Sequence, residues 1–295
     1  EDYEKIIGKQ DPKINDGSIV DQVKINNHDG LVLRKVVQNL FETPFKNGSL
    51  VRFYDFFGRR ARNGFFVYAP EVAGGARVFI GDLNGDGIRE KIVSGGGRFE
   101  IFNNANLHWF DSYPFGGDYA GEIRYAVGKS GGEKYIFAMP VVGKRGAVLY
   151  NYHGGLIKEN FLPFGNKYGF GFYGALGDVD GNGQLDVVVG SGGGRVGELL
   201  VYDQNLQKVK YRFFPFGNKF LGRIKVAVGD VNGGGKDEII TMGKFGLRNA
   251  VRIFDFNGKK LSEFIVNGQL GGADLNISAA DINFDGQAEV VIEGN

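Results

Sequence analysis

Residues 172–218 read FYGALGDVDGNGQLDVVVGSGGGRVGELLVYDQNLQKVKYRFFPFGN. A strand (FYGALGD, 172–178) runs into an acidic loop, and a second strand (VVVG, 187–190) leaves it. A third, alternating strand (LVYD, 200–203) ends in a polar turn, and a fourth run ends in aromatics at FPFGN (214–218). Alternation over short runs bounded by Gly, Pro, Asn and Asp is the pattern of β-strands and their turns.

Each piece recurs. Strands entering an acidic loop are RVFIGD (77–82), IKVAVGD (224–230) and LNISAAD (275–281), and strands leaving one are KIVS (91–94), EIITM (238–242) and VVIE (290–293). VRFYDF (51–56), VLYNY (148–152) and VRIFDF (251–256) match the third strand, and SYPFG (112–116) and LPFGN (162–166) match the aromatic end of the fourth. The loop aspartates at 82, 178, 230 and 281 are 96, 52 and 51 residues apart, and the first interval is two periods of 48. The loop missing from that interval is Gly128–Glu133 (GKSGGE), which keeps the framework without the ligands, and a weaker copy spans Ser18–Val37 with Asn27–Gly30 as its worn loop.

A period of about 50 residues with four strands per unit predicts an all-β fold, a β-propeller. Six blades of four antiparallel strands are expected, with five or seven left open because the copy at Ser18–Val37 is the weakest. The sixth unit lacks its last two strands, so the chain ends are expected to pair. Residues 1–17, with Tyr3–Ile14 as the strand, are expected to close the ring. Residues 1–295 then form a single domain with repeats from about 18 onward. Phe115, Phe164 and Phe216 recur at one place in each repeat, as packing between neighbouring blades requires.

Composition agrees. Of 295 residues, 50 are Gly and 26 Phe, with only 7 Pro, which excludes collagen and favours a turn-rich β protein. Thirty-five Lys plus Arg against 34 Asp plus Glu argue against a nucleic-acid or membrane-surface binder. With no Cys, any metal must sit on oxygen or on histidine. No apolar run approaches the ~20 residues that span a bilayer, so no membrane insertion is expected. The start at Glu1, without Met or a signal peptide, reads as a piece of something longer.

The acidic loops carry the chemistry. Asp82, Asn84, Asp86 and Glu90 fall at loop positions 1, 3, 5 and 9, with Gly87 at 6 and the carbonyl of Ile88 available at 7. Alternate spacing turns successive oxygens toward one centre, which suits Ca²⁺ with its six to eight oxygen ligands at roughly 2.3–2.6 Å. Asp178, Asp180, Asn182, Gln184 (carbonyl) and Asp186 repeat the pattern, as do Asp281, Asn283, Asp285, Gln287 (carbonyl) and Glu289. Asp230, Asn232, Lys236 (carbonyl) and Glu238 form a partial copy, because Gly234 has no side chain for position 5. Three full calcium sites and one partial site are therefore expected. An EF-hand would place its bidentate Glu at position 12 and continue into a helix, and here the last ligand is at 9 and a strand follows.

The segments GDLNGDGIREKIVSG, GDVDGNGQLDVVVG, GDVNGGGKDEIITMG and ADINFDGQAEVVIEG resemble the FG-GAP or VCBS-type repeats of integrin-like β-propellers, over residues 18 to 295. Segments such as AVRIFDFNGKKLSEF resemble repeats of bacterial surface proteins. The resemblance implies a Ca²⁺-stabilised propeller outside the cell, used for adhesion or for recognition of a glycan or protein on a cell surface or matrix. Two of the six loops depart from the ligand pattern. Weak extracellular-type calcium sites would stand largely empty at cytosolic calcium, which points to an exported protein.

The competing class is an enzyme. His28, His108 and His153 lie in no motif with a nucleophile or metal spacing, and the prominent carboxylates are already assigned to calcium. The sequence therefore predicts a non-catalytic, calcium-stabilised binding or adhesion module. A lectin-like propeller, a self-associating surface-assembly module and, less favoured, a glycan-active enzyme are the alternatives. The basic groups Arg59-Arg60 with Arg62, Lys144-Arg145 and Lys259-Lys260 read as solvated turns, with contact to an anionic polysaccharide as their second reading.

Overall fold

The computed structural model describes residues 50–54, 59–66, 77–81, 83, 90–95, 97–103, 108–119, 121–141, 143–266, 274–283 and 285–294. Among them twenty strands form five four-stranded antiparallel sheets, and no α-helix is present. The strands are β1 (Leu50–Tyr54), β2 (Arg60–Phe66), β3 (Arg77–Gly81), β4 (Glu90–Gly95), β5 (Arg98–Phe102), β6 (His108–Ser112), β7 (Ile123–Ser130), β8 (Glu133–Pro140), β9 (Ala147–Asn151) and β10 (Leu156–Phe161). They continue as β11 (Phe172–Gly177), β12 (Asp186–Ser191), β13 (Leu199–Tyr202), β14 (Val209–Phe213), β15 (Lys225–Gly229), β16 (Glu238–Phe245), β17 (Arg248–Phe254), β18 (Lys260–Val266), β19 (Leu275–Ala280) and β20 (Glu289–Gly294).

Four sheets are sequence-contiguous meanders: β3 to β6, β7 to β10, β11 to β14 and β15 to β18. The fifth has the order β19-β20-β1-β2, so it is built from the two ends of the described chain. Val51, Arg52, Phe53 and Tyr54 pair with Glu293, Ile292, Val291 and Val290. This corrects the expected closure, because the place beside β20 that was assigned to Tyr3–Ile14 is taken by β1. VRFY (51–54), from the stretch that resembles the third strand VRIFDF, serves as the third strand of the last unit instead of its own. The described residues accordingly give five complete sheets where six units were expected. Tyr3–Ile14 and the weak copy at Ser18–Val37 lie outside the described residues.

One apolar cluster fills each interface between consecutive sheets. Leu83, Phe99 and Ile101 of the first sheet's unit meet Ile123, Ile136 and Val148 of the second. Phe137 and Leu149 meet Phe172, Val187 and Val189 of the third. Val188 and Val201 meet Val226 and Ile239 of the fourth, and Ile240 and Val251 meet Val290 and Ile292 of the fifth. Val187 and Val189 face one neighbour while Val188 faces the other, as the two-residue period of a strand requires. That is why β12 is buried along its whole length, with both faces apolar.

Close approach of the first strands needs glycine. A Cβ on Gly177 would stand 2.3 Å from Val228 Cγ1, and one on Gly128 would stand 2.3 Å from Leu176 Cβ. The FPFGN-type corners also repeat. Pro-Phe-Gly closes a β-turn in each, with Gly116 N–H on Tyr113 O, Gly165 N–H on Leu162 O and Gly217 N–H on Phe214 O. The Phe of each corner packs on an aromatic four residues on, with Phe115–Tyr119, Phe164–Tyr168 and Phe216–Phe220 centroids 5.0, 5.2 and 5.1 Å apart. Phe115 and Phe216 belong to the interface clusters and Phe164 packs against one, so the recurrent aromatics are packing residues.

Every fourth strand carries a one-residue bulge at the same place. The residues skipped at that place are Trp109, Ile157, Lys210, Leu261 and, in β2, Ala61, and β2 and β10 each carry a second irregularity further along. Among the described residues, no helix is long and apolar enough to cross a membrane.

The chain has no cysteine, so its closure can be tested by cross-linking. Arg52→Cys with Ile292→Cys, and Phe53→Cys with Val291→Cys, place the new thiols on facing positions of β1 and β20. One of the two pairs has the close, non-hydrogen-bonded geometry. At least one should oxidise in high yield, shift mobility on a non-reducing gel and raise Tm. Failure of both pairs would refute the pairing of the chain ends.

Candidate functional site

The acidic loops join the first and second strands and lie at one end of the sheets. In the second sheet, where the ligands are missing, β7 and β8 meet in a two-residue turn of Gly131 and Gly132 with φ 58° and 88°. Both values are left-handed, as the tight hairpin turn demands.

In the loops that keep their acids, backbone N–H groups converge on carboxylates. The position 1 aspartate accepts from the residues at positions 5 and 6. Asn182 and Gly183 donate to Asp178 at 3.0 and 2.8 Å, Gly234 and Gly235 donate to Asp230 at 3.0 and 2.7 Å, and Gly286 donates to Asp281 at 3.2 Å. The position 9 glutamate reaches back to the N–H of position 2, from Glu90 to Leu83 at 2.7 Å, Glu238 to Val231 at 3.1 Å and Glu289 to Ile282 at 2.9 Å. Its other oxygen takes a side-chain amide at position 3, from Asn232 at 2.6 Å and Asn283 at 2.9 Å.

The loops are also tied to one another through the N–H at position 8. Leu185 N–H bonds Ser130 Oγ at 3.1 Å, Asp237 N–H bonds Asp178 O at 3.2 Å, and Ala288 N–H bonds Asp230 O at 2.7 Å. The Asp237 carboxylate returns the contact by accepting Asp178 N–H at 2.8 Å. Sheets two to five are thus laced together at this end.

The sequence-predicted ligands divide as follows. Asp82, Asn84, Asp86 and Ile88 lie outside the described residues, and Glu90 is buried at the start of β4. Asp178, Asp180 and Asp186 come together with carboxylate oxygens within 4.8 Å of one another. Asp281, Asp285 and Glu289 do not reach that spacing, and Asn283 Nδ2 sits between Asp285 and Glu289 at 2.9 Å from each. Asn182 and Asp285 use their Oδ1 atoms to accept Gln184 and Gln287 N–H, at 2.7 and 2.8 Å. The stem of Lys236 lies over Gly181 of the preceding loop.

Two residues outside the predicted set belong to the site. Asp237 was one, legible only as an extra acid between Lys236 and Glu238. Lys210 of β14 is the other, with its ammonium 2.7 Å from Asp180 and 2.6 Å from Asp186.

Electrostatics follow burial. Removal from water pushes the Glu238 carboxyl up to about 7, with the charge of Asp230 adding to the effect. Burial also raises Glu289, Asp237 and Asp186, the last against the pull of Lys210. Burial works against the charge on Lys210, yet its two aspartate partners hold the ammonium above the ordinary lysine value. The donor set is carboxylate, amide and carbonyl oxygen, which fits a hard divalent cation at the glutamate loops.

Two cavities lie away from the acidic loops. Where β7, β11, β15 and β19 come together, Arg124, Tyr173, Lys225, Asn276 and Glu293 line a space of about 110 Å³. Its cations are engaged. Lys225 Nζ bonds Asp274 at 2.7 Å and Leu275 O at 2.5 Å, while the Arg124 guanidinium lies 4.0 Å over the Tyr173 ring. The larger space, about 280 Å³, opens between the fourth and fifth sheets beside Arg223, Lys225, Lys244, Asn249 and Asp274. It sits at the start of β15 and β19, the end opposite the acidic loops. Exposed Leu221 and Leu247 lie in connections at that same end, and exposed Phe245 ends β16 there.

His108 lies 3.4 Å from Asp111, and His153 packs on Tyr152 with centroids 3.7 Å apart. Neither contacts a nucleophile in these interactions. Of the basic groups expected in solvated turns, Arg60 and Arg62 lie in β2 and Lys260 begins β18 instead; Arg145 is bonded to Asp118 and Phe115 O, and Lys260 bonds Glu263 at 2.5 Å.

The sequence matches no protein-family model and no curated protein. Among solved structures the chain is similar to the exotype rhamnogalacturonan lyase YesX, at 13% identity and TM-score 0.36, over 82% of this chain and 51% of that one. It is similar to rhamnogalacturonan lyase YesW at 14% identity and TM-score 0.35, over 84% and 54%. A putative TolB from Agrobacterium tumefaciens is similar at 12% identity and TM-score 0.38, over 85% and 99%. The chain spans about half the length of the two lyases, and no activity is carried over from these proteins.

Glu238 gives the loops a pH signature. Its carboxyl titrates near the ordinary 4.5 when unfolded and at about 7 when folded, so folding takes up a proton between these values. Its contribution to metal-free stability is therefore greatest below about 4.5 and falls as pH rises through 7. Glu238→Gln should raise the Tm in chelator at about pH 8, by the equivalent of roughly 1–3 kcal/mol, and leave it unchanged at about pH 4. Equal effects at both pH values would contradict the assignment.

Proposed function

We propose that the chain is a calcium-stabilised β-propeller that acts as a non-catalytic binding module of an exported or cell-surface protein, of the kind the FG-GAP and VCBS resemblance implies. Five sheets packed face to face in sequence order, with the fifth joining the chain ends, support the propeller reading. The calcium reading rests on one observation: the position 1 aspartate and position 9 glutamate recur in the same hydrogen-bonded places in separate sheets. Asp230 with Glu238, and Asp281 with Asp285 and Glu289, are the groups that would hold the ion. Bound calcium supplies positive charge to carboxylates that accept backbone and asparagine N–H groups, and so closes the loops.

Each loop with a Kd near 10⁻⁴ M adds about 1.4 kcal/mol of stability at roughly millimolar ion. Melting curves in about 1 mM Ca²⁺ and in chelator should therefore separate by several degrees, and Asp281→Ala should remove part of the separation. Superimposable curves would reject the metal.

A second reading concerns the ligand and is favoured by the 280 Å³ space between the fourth and fifth sheets, where Arg223, Lys225 and Lys244 outnumber Asp274, the carboxylate with which Lys225 and Arg223 pair. That balance suits an acidic partner such as a uronate-bearing polysaccharide. Binding to acidic polymers should exceed binding to neutral ones, and Arg223→Ala with Lys244→Ala should weaken it about tenfold or more without lowering Tm. Equal binding of neutral and acidic polymers would remove this reading. A blank screen from calcium-stabilised protein would turn attention to a protein partner or self-association.

A further inference from the structure

In the third sheet two departures from the repeat coincide. Asp180 stands where the other acidic loops hold Asn84, Asn232 and Asn283, and Asp186 stands where they hold Glu90, Glu238 and Glu289. The shorter Asp186 makes only a long 3.4 Å contact with Asp180 N–H, in place of the bonds the glutamates make to position 2. Position 3 offers Asp186 no amide, and the Asn182 side-chain amide donates to Asp180 at 3.1 Å instead.

Lys210 fills that role. It occupies the bulge position of the fourth strand, where the other four sheets carry Trp109, Ile157, Leu261 and Ala61. From there Nζ bridges Asp180 and Asp186 at 2.7 and 2.6 Å, between a carboxylate 18% exposed and one fully buried. The extra carboxylate and the lysine occur together in one sheet and neither occurs in the others.

We propose that the Lys210 ammonium is a tethered cation that takes the place of the divalent ion in the Asp178 loop, so that this loop closes without metal while the Asn/Glu loops carry the calcium sites. The inference rests on the calcium reading above for its second half alone. In the Asn/Glu loops an incoming ion has only a neutral amide to turn aside. In the Asp178 loop it meets a positive charge already bonded to two of the three carboxylates, and that charge is present at its site at any free calcium concentration. The number of bound ions is then set by the glutamate loops, and the loop with the fullest complement of aspartates is the one that stays metal-free.

The test counts bound Ca²⁺ by calorimetry on the full chain and records melts in chelator and in about 1 mM Ca²⁺. Asp178→Asn should leave the wild-type count unchanged, whereas Asp281→Asn should lower it by one. Lys210→Met should raise the count by one, lower Tm in chelator and recover it on adding calcium. Asp180→Asn with Lys210→Met restores the position 3 amide of the neighbouring loops and keeps the test available if the single variant fails to fold. This double variant should also gain a site. Loss of one ion in Asp178→Asn, or no gain in either lysine variant, would overturn the proposal. If wild type binds no calcium at all, the calcium reading falls by itself. A Lys210→Met protein that then acquires a calcium-dependent melt would still support the tethered cation, and one that does not would overturn it.

Discussion

A four-stranded sheet with two apolar faces must be covered on both sides, and the rest of this structure follows from that requirement. β12 shows it most directly, since Val187 and Val189 look into one neighbour and Val188 into the other. A linear stack would leave the outer faces of its first and last sheets in water, at a cost of about 25 cal/mol per Å² of apolar surface. The pairing of β1 with β20 also removes the open strand edge that β20 would otherwise present, an edge prone to pairing with other chains. Long-range pairing of the chain ends has a loop-closure cost that grows only slowly with length, so even a closing contact across most of the chain is affordable in entropy.

Burial of the sheets gathers acidic loops at one end, and their charge has to be answered there. The answer differs by sheet. The second sheet dispenses with the loop and turns on Gly131 and Gly132. The fourth and fifth use backbone N–H groups and an asparagine amide. The third adds an ammonium. Burial outweighs these neutral donors at Glu238, whose carboxyl is pushed up to about 7 with the charge of Asp230 adding to the effect. A divalent ion at the glutamate loops would offset both.

The repeat made most of the fold legible. FYGALGD, VVVG, LVYD and IKVAVGD coincide with β11, β12, β13 and β15, because alternation and turn residues are local signals. The loop positions were equally readable, since the spacing of Asp178, Asp230 and Asp281 is a property of one short window. The closing strand was not. VRFYDF and VRIFDF were recognised as alike, but which sheet a third strand joins depends on which edge is free, and that depends on the rest of the chain. Lys210 was hidden for a related reason. It lies 24 residues from Asp186 in sequence, and only the β14 bulge brings it to the loop.

The interlocking of the loops bears on how ion binding could be felt beyond one site. Asp237 N–H bonds Asp178 O while the Asp237 carboxylate accepts Asp178 N–H, and Ala288 N–H bonds Asp230 O. An ion that tightens the Asp230 loop acts on a segment whose position 8 is hydrogen-bonded to the Asp178 loop and whose position 1 holds the Asp281 loop. A loop kept closed by its own lysine would be a fixed point in that chain of contacts, against which the ion-dependent loops are set. Coupling of this kind needs only short hydrogen bonds between adjacent sheets, and among the described residues the series runs back to the second sheet, where Ser130 Oγ accepts beside the Gly131-Gly132 turn.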